Sequence, residues 1–440
     1  MNKEIFRAYD IRGVYPDEIN EETAYRVGRA IVEYTKKTKI VVGQDMRDSS
    51  PGLFKELARG ITDQGADVIE IGLCSTPMFY FAVNFLKGDA GVMVTASHNP
   101  AKYNGFKLVR EKAIPMTYDE GITQVRDLAS ANDLKEASKK GVIIKRADMV
   151  HDYANFVLSL AKEIPKLKIV VDTSNGMAGF TLPKVFEHLD LEIVHMNKEL
   201  DGNFPNHEAN PLNPDVYDQL KNELSKQKAD FGALFDGDAD RVGFVDENGE
   251  IIGSDLVTAL ISEAYSGEKI LFDLRSSWVV KEKIEENGNT PVMSRVGHSF
   301  IKDTMRKKDV VFGGELSGHY YYKQDDFYAE NSILTLIKVA QIIKKEGKTL
   351  SEIIKPLKKY FQSGEINSEV SDKESKMQEL EKIYNDAKIT KLDGITLEYD
   401  DWWFNVRPSN TEPKLRLNLE AVSKELMEEK KKEVLGIIRK

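Results

Sequence analysis

Three aspartates at alternate positions, Asp236, Asp238 and Asp240, crowd one short run that ends in Arg241. Carboxylates that close disfavour one another's charged forms unless a cation relieves the repulsion, so the spacing points to a hard divalent metal. An EF-hand calcium loop competes, because Glu247 stands at the twelfth position counted from Asp236. Two features oppose it: the sixth position, where that loop turns on glycine, is Arg241, and the flanks FGALF and VGFV read as strands where helices are required. Magnesium is the better fit, since it pairs with phosphate oxygens, and a solvated acidic turn is the metal-free alternative. A second candidate is Ser97, in Thr95-Ala96-Ser97-His98-Asn99-Pro100. A serine just past a strand and ahead of an Asn-Pro turn is expected to be exposed, with a usable hydroxyl. It lacks the Gly-x-Ser-x-Gly pattern of a hydrolase elbow. Taken alone, Ser97 is a turn serine and His98 a satisfied loop histidine. In Gly313-Gly314-Glu315-Leu316-Ser317-Gly318-His319, a carboxylate and a hydroxyl stand among glycines that let a ligand approach the backbone, a combination suited to sugar hydroxyls. Arg407-Pro408-Ser409-Asn410-Thr411-Glu412-Pro413, with Arg416 beyond it, reads as a phosphate cradle or a proline-bounded turn between strands, and the two readings are compatible.

Strands must present these loops. A pattern Lys-Ile-apolar-apolar-Gly/Asp recurs at Lys39 to Gly43, Lys168 to Asp172 and Lys269 to Asp273, each a short apolar run that predicts a buried strand. A helical stretch follows each copy, then a second strand over 67–72, 192–196 and 291–296. A third strand then runs into one of the polar loops, at 91–100, 231–241 and 310–319. The repeat unit is β-α-β-α-β. Such a pattern predicts α/β/α domains with mixed, mostly parallel sheets, which bind ligands beyond the carboxyl ends of their strands. From about residue 366 the chain changes character: a helix, strands near 395–399 and 402–406, the alternating run Lys414 to Ala421 and a charged closing helix predict a smaller α+β domain. The expected boundaries give domains over 1–150, 151–253, 254–362 and 363–440, carrying the serine loop, the metal loop, the sugar loop and the phosphate loop respectively.

Composition excludes other classes. With 440 residues, 41% of them hydrophobic, the chain is too long for a single core. No run of about 18 apolar residues occurs, and no apolar signal stretch follows the start, so a cytoplasmic protein without a membrane partner is expected. The net charge of -10 argues against nucleic acid as a partner and requires a locally positive pocket for any anionic ligand. The single cysteine, Cys74, lies beside the apolar run Val68 to Leu73 and reads as a core residue.

The loops, in this order, resemble the alpha-D-phosphohexomutase family, which includes phosphomannomutase and phosphoglucomutase enzymes. The opening Phe6-Arg7-Ala8-Tyr9-Asp10-Ile11-Arg12-Gly13, together with Asn104-Gly105-Phe106-Lys107 and Gly297-His298-Ser299, extends the resemblance over nearly the whole chain. It implies three similar α/β/α domains and a smaller fourth domain around a central cleft, with the serine matching Ser97 carrying a phosphoryl group. It also implies a magnesium site at Asp236, Asp238 and Asp240 beside Ser97. Tyr9, Glu315 and Ser317 are implied to contact the sugar. Arg407, Ser409, Asn410, Thr411 and Arg416 are implied to grip the phosphate that is not reacting. Arg12, Lys107, Arg241 and His298 are implied to surround the transfer, as charge stabilisers or proton carriers. The implied reaction moves phosphate between the 1- and 6-positions of mannose or glucose phosphate, with glucose or mannose 1,6-bisphosphate as activator and sugar phosphates as partners of a monomer or weak dimer. A phosphoglucosamine mutase is the near alternative, opposed by FRAYDIRG and GELSGH; a sugar-phosphate sensor is opposed by the intact Ser97 and aspartates. Ala239, where glycine is common, Leu316, where methionine is common, and Arg275, where lysine is common, depart from the pattern, and Arg275 puts a substrate role there in doubt.

Overall fold

The computed structural model describes residues 1–146, 148–161, 166–409 and 414–440. They fall into two compact units: Met1–Ile252 with Ser317–Ser351, and Gly253–Leu316 with Glu352–Lys440.

The first unit contains two repeats. Strands Lys39–Gln44, Asp67–Leu73 and Ala90–Val94 form one, with helices Ser50–Asp63 and Thr76–Phe85 between them. Strands Lys168–Asp172, Glu192–Met196 and Phe231–Phe235 form the other, with helices Ala178–Phe186 and Asp218–Gln227. In both, the first strand lies between parallel partners, so the order is third, first, second. Parallel neighbours need helical crossovers, which cover the faces of the sheet and explain why these strands are continuous apolar runs. Ala90–Val94 and Phe231–Phe235 are buried along their whole length. Fully burying a valine or leucine contributes roughly 1.5–3 kcal/mol, so a charge at the fully buried Val92 would lose that and strand an ion in the sheet.

Beyond each third strand the sheet continues antiparallel. Ala90–Val94 turns into Tyr103–Arg110, which pairs in turn with Ile11–Val14. Phe231–Phe235 turns into Val242–Asp246, which pairs with Ile251–Ile252. The Ser97 loop and the aspartate loop are these two turns. The hairpin Tyr320–Gln324 with Phe327–Glu330 and the helix Ser332–Glu346 also belong to this unit.

The second unit repeats the strand order with Lys269–Asp273 between Thr290–Ser294 and Phe312–Gly314, all parallel. The predicted second strand over 291–296 ends earlier: the Val296 N–H donates to Asp393 Oδ2 at 3.3 Å and Gly297, at φ 118°, turns the chain into helix His298–Lys308. The tail is an antiparallel sheet in the order Phe361–Gln362, Lys414–Ala421, Trp402–Pro408, Ile395–Glu398 and Lys388–Thr390, with Ile366–Glu369 also on Lys414–Ala421. Its core joins Trp402, Phe404 and Tyr384 with Val434 and Ile438 of the closing helix Lys424–Ile438, which Ser423 caps by accepting from the Leu426 N–H. Third repeat and tail are stitched together: the Trp278 N–H donates to Glu420 Oε1 at 2.9 Å, its indole to Glu398 Oε1 at 3.0 Å, and Gln362 to Asp255 Oδ2 at 3.0 Å.

Candidate active site

Ser97 follows strand Ala90–Val94 in a left-handed conformation, φ 52°. Its N–H donates to Thr95 Oγ1 at 2.9 Å, and its hydroxyl donates to Asp236 Oδ2 at 3.2 Å and stands 3.2 Å from His98 Nδ1. The sequence predicted an exposed serine, and the structure corrects this: Ser97 is 2% exposed. The reason is the aspartate loop, whose backbone packs directly on the serine turn. A Cβ at Gly237 would lie 2.5 Å from the Ser97 carbonyl oxygen, so that position accepts only glycine. Burial, with Arg241 and Arg12 nearby, holds the His98 imidazole well below its ordinary pKa.

The serine turn is held from beneath by Arg47, a residue without a sequence signal. Its guanidinium is buried and donates to the carbonyls of Ser97 at 2.8 Å, Asn99 at 2.6 Å, Pro100 at 2.9 Å and Tyr103 at 3.0 Å, while Nε reaches Asp45 Oδ2 at 3.2 Å. Arg12, on the strand Ile11–Val14, donates to Asn99 Oδ1 at 2.6 Å and pairs with Asp10; Tyr9, half-buried, precedes that strand.

Asp236, Asp238 and Asp240 are all buried, and one carboxylate oxygen of each lies within 4.8 Å of the others. Lys107, on strand Tyr103–Arg110, donates to Asp238 Oδ2 and Asp240 Oδ2 at 2.6 Å each. Thr76, at the start of helix Thr76–Phe85, donates its hydroxyl to Asp238 Oδ2 at 2.6 Å and its N–H to the Asp238 carbonyl at 2.9 Å. Burial would raise Asp240, but Lys107 and His319 pull it well below the ordinary carboxylate range; burial and the two neighbouring aspartates push Asp236 well above it. Burial disfavours the Lys107 cation, yet Asp238 and Asp240 overcome this and raise its pKa. Asp238 Oδ1 is buried without a hydrogen-bond partner among the described residues. An acceptor left over beside two further carboxylates fits a hard cation. The calcium alternative fails on geometry: both flanks are strands, and Glu247 accepts from the N–H and hydroxyl of Ser351.

Arg241 and His319 close this unit's site. Arg241 Nε is 3.3 Å from His319 Nε2 and 3.8 Å from Asp236 Oδ2. His319 Nε2 is 3.2 Å from Asp240 Oδ1, and its Nδ1 is 2.8 Å from Ser317 Oγ. His319 was visible in the GELSGH loop but had no assigned role. Ala239, where a glycine is common, has φ 59°, the region where glycine is the unstrained choice.

The second unit gathers the remaining candidates. His298 begins helix His298–Lys308, and Glu315 Oε1, buried, accepts from the adjacent Gly297 N–H at 3.1 Å. Arg275 donates to both oxygens of Asp273, at 3.1 and 2.8 Å, and lies 3.7 Å from Glu315. Arg407 and Arg416, directly opposite each other on neighbouring strands, converge with Arg275 on Glu365. The carbonyl of Ser409 accepts from Lys373 Nζ at 2.9 Å. Asn410 and Thr411 lie outside the described residues. Sequence reasoning missed Glu365 as well as Arg47 and Thr76.

The first unit holds a buried serine against three carboxylates, and the second holds a cluster of guanidiniums; each is a group of side chains suited to phosphoryl chemistry. Family models for phosphoglucomutase/phosphomannomutase match the chain in order: alpha/beta/alpha domain I over residues 3–136, domain II over 148–249, domain III over 248–360 and the C-terminal domain over 365–437. The chain belongs to the phosphoglucomutase/phosphomannomutase family of hexose-phosphate mutases. It is similar to the phosphomannomutase of Methanocaldococcus jannaschii, 39% identical over 99% of this chain and 98% of the relative. It is also similar to the phosphomannomutase of Escherichia coli strain K12, 40% identical over 94% of each chain. Among solved structures, a phosphoglucomutase/phosphomannomutase family protein from Burkholderia thailandensis has a TM-score of 0.92 at 29% identity, covering 99% of this chain and 97% of that one. No helix among the described residues is long and apolar enough to cross a membrane.

Proposed function

We propose that this enzyme moves phosphate between the 1- and 6-positions of mannose or glucose through a phosphoserine at Ser97 and a hexose 1,6-bisphosphate. The observation that carries the reading is the Ser97 hydroxyl, buried 3.2 Å from Asp236 Oδ2 on a turn whose carbonyls Arg47 fastens. Phosphoryl transfer depends on positioning and charge neutralisation, and this turn supplies the first.

Asp236, Asp238 and Asp240 would hold magnesium with a Ser97 phosphoryl oxygen, and the ion supplies charge neutralisation when bound. Lys107 stays a cation, because two carboxylates at 2.6 Å secure its proton, and it acts through charge, as do Arg12 and Arg241. Phosphorylated Ser97 gives its phosphoryl group to the free hydroxyl of a hexose monophosphate: the bond from phosphorus to Ser97 Oγ breaks and one to the sugar oxygen forms. The hydroxyl proton passes to one of the groups that surround the transfer, among which His298 is a candidate proton carrier, and Ser97 Oγ takes up a proton as it is released. The bisphosphate then turns over and returns its other phosphoryl group to Ser97, with glucose or mannose 1,6-bisphosphate serving as activator. Tyr9, Glu315 and Ser317 recognise sugar hydroxyls, while Arg407, Ser409, Asn410, Thr411 and Arg416 hold the phosphate not in transfer. We infer a cytoplasmic enzyme that works as a monomer or weak dimer.

The test is a coupled assay with magnesium and a trace of glucose 1,6-bisphosphate on mannose 1-phosphate, glucose 1-phosphate and glucosamine 1-phosphate separately. Turnover of the first two is expected, and none in Ser97→Ala, whose intact mass should lack a phosphoryl group. Full turnover in that variant would refute the covalent route, and turnover of glucosamine 1-phosphate alone would reassign the sugar.

A further inference from the structure

Glu365 occupies a place where its charge opposes the site around it. Arg407 donates to Glu365 Oε2, Arg275 Nη1 lies 3.5 Å from the same oxygen, and Arg416 Nη1 donates to Oε1 at 3.2 Å. One carboxylate thus engages three guanidiniums, with both its oxygens in use, as a phosphate would. Those arginines still have spare donors: Arg407 Nε and Arg416 Nε are buried without a hydrogen-bond partner among the described residues. Arg407 itself is 7% exposed.

The backbone is built to deliver this carboxylate. Phe361 and Gln362 pair with Ala421 and Glu420, and pairing resumes at Ile366 opposite Leu417. Residues 363–365 therefore stand against 418–419, one residue in excess, and Gly364 takes φ 68° within that bulge. A bulge re-aims the side chain beside it, and this one directs Glu365 into the arginine cluster. Burial alone would raise its pKa; Arg407, Arg275 and Arg416 lower it, so Glu365 is an anion at neutral pH.

We propose that Glu365 is a resident counter-anion of the phosphate-gripping arginines, one that an incoming substrate phosphate displaces. This rests on the reading that Arg407 and Arg416 bind the non-reacting phosphate. Glu365 is then a positioning and affinity-setting residue. With the site empty it keeps three like charges together, and with a ligand bound it competes for the same donors and shortens the ligand's stay. A bisphosphate that must leave this cluster by one phosphate and return by the other requires that release.

The experiment is calorimetric titration of inorganic phosphate into the full chain at fixed ionic strength, for wild type, Glu365→Gln, Glu365→Asp and Arg407→Ala. Glu365→Gln should bind phosphate at least tenfold more tightly, about 1.4 kcal/mol, and Glu365→Asp should stay within about threefold of wild type. In turnover, KM for mannose 1-phosphate should fall in Glu365→Gln without a rise in kcat. Arg407→Ala should lose most of the binding. If Arg407→Ala weakens phosphate binding but Glu365→Gln leaves it equal or weaker, Glu365 merely orients the arginines and the proposal is overturned, while the phosphate reading stands. If Arg407→Ala binds as wild type does, that reading fails and the proposal fails with it.

Discussion

Lys107→Met probes how the three aspartates are held together. The substitution keeps an unbranched apolar stem but deletes the ammonium that donates to Asp238 and Asp240 at 2.6 Å each. Both carboxylates are fully buried, with Asp236 beside them, so removing the cation leaves charges that water does not reach. Breaking a buried ion pair from one side costs about 3–5 kcal/mol. At roughly 2–4 °C per kcal/mol for a protein unit of this size, the melting temperature should fall by roughly 6–20 °C in the absence of divalent ions. Without Lys107 the aspartates have one cation fewer to share, so magnesium should bind the variant more tightly, and a ligand that binds only the folded state stabilises it by mass action. Thermal melts with and without millimolar magnesium, on wild type and variant, read both effects. The variant should melt lower without the ion, and the gap should narrow with it. An unchanged melting temperature, or the same magnesium shift in both proteins, would refute the account of the triad as a charge cluster awaiting a cation.

Arg47→Met should cost about 3–5 kcal/mol, because it strands the buried Asp45 and unpairs the carbonyls of Ser97, Asn99, Pro100 and Tyr103. Mutase activity per folded molecule should fall at least tenfold, about 1.4 kcal/mol of barrier; lost stability with full activity would show that Arg47 does not position Ser97. His207→Gln tests a pH-linked pair: burial would lower the imidazole's pKa, but the hydrogen bond and charge of the buried Asp172, 3.0 Å away, raise it. A raised folded-state pKa contributes stability fully present below the ordinary histidine value, about 6.5, and lost as the pH climbs through the folded value. The melting-temperature gap between wild type and His207→Gln should thus be wider near pH 5.5 than near pH 8.5; a gap that is constant, or wider in alkali, contradicts the pairing.

Most of the framework was legible because it is written in local pattern. Each repeat opens on a short apolar run that is buried in a parallel sheet, and three such runs at the same relative place mark the architecture before any site is considered. The aspartate loop was equally plain, since crowded like charges are conspicuous in one dimension. What stayed hidden acts across sequence distance through backbone groups. Arg47 recognises carbonyls some fifty residues away, and carbonyls are the same whatever the side chain, so no motif records the interaction. The burial of Ser97 was missed for a related reason, because the covering group is the backbone at Gly237, in a turn between strands of a different sheet. The preference for glycine at position 239 has a physical reason that only the structure shows, since the chain there takes φ 59°.

The repeats also share a fastening that ties Arg47 and Arg275 together. Asp45, Asp172 and Asp273 sit at or just beyond the carboxyl end of each central strand, and each accepts from the N–H two residues on, at 3.1, 2.8 and 2.8 Å. The residue that donates is Arg47, Ser174 or Arg275, and in each repeat its side chain turns toward the loop after that repeat's third strand. Arg47 binds the Ser97 turn, and the Ser174 hydroxyl donates to the Phe235 carbonyl at 2.6 Å, where the aspartate loop begins. Arg275 faces Glu315 at 3.7 Å, while Asp273 itself accepts from the Leu316 N–H at 2.7 Å. Where the anchored loop offers several carbonyls, or a carboxylate, the position is arginine; where a single carbonyl lies within reach of one short bond, it is serine. Arginine at 275 then has a structural reason: bidentate pairing with Asp273 fixes its fork, leaving Nη1 for Glu365, a geometry that a lysine's single ammonium does not reproduce.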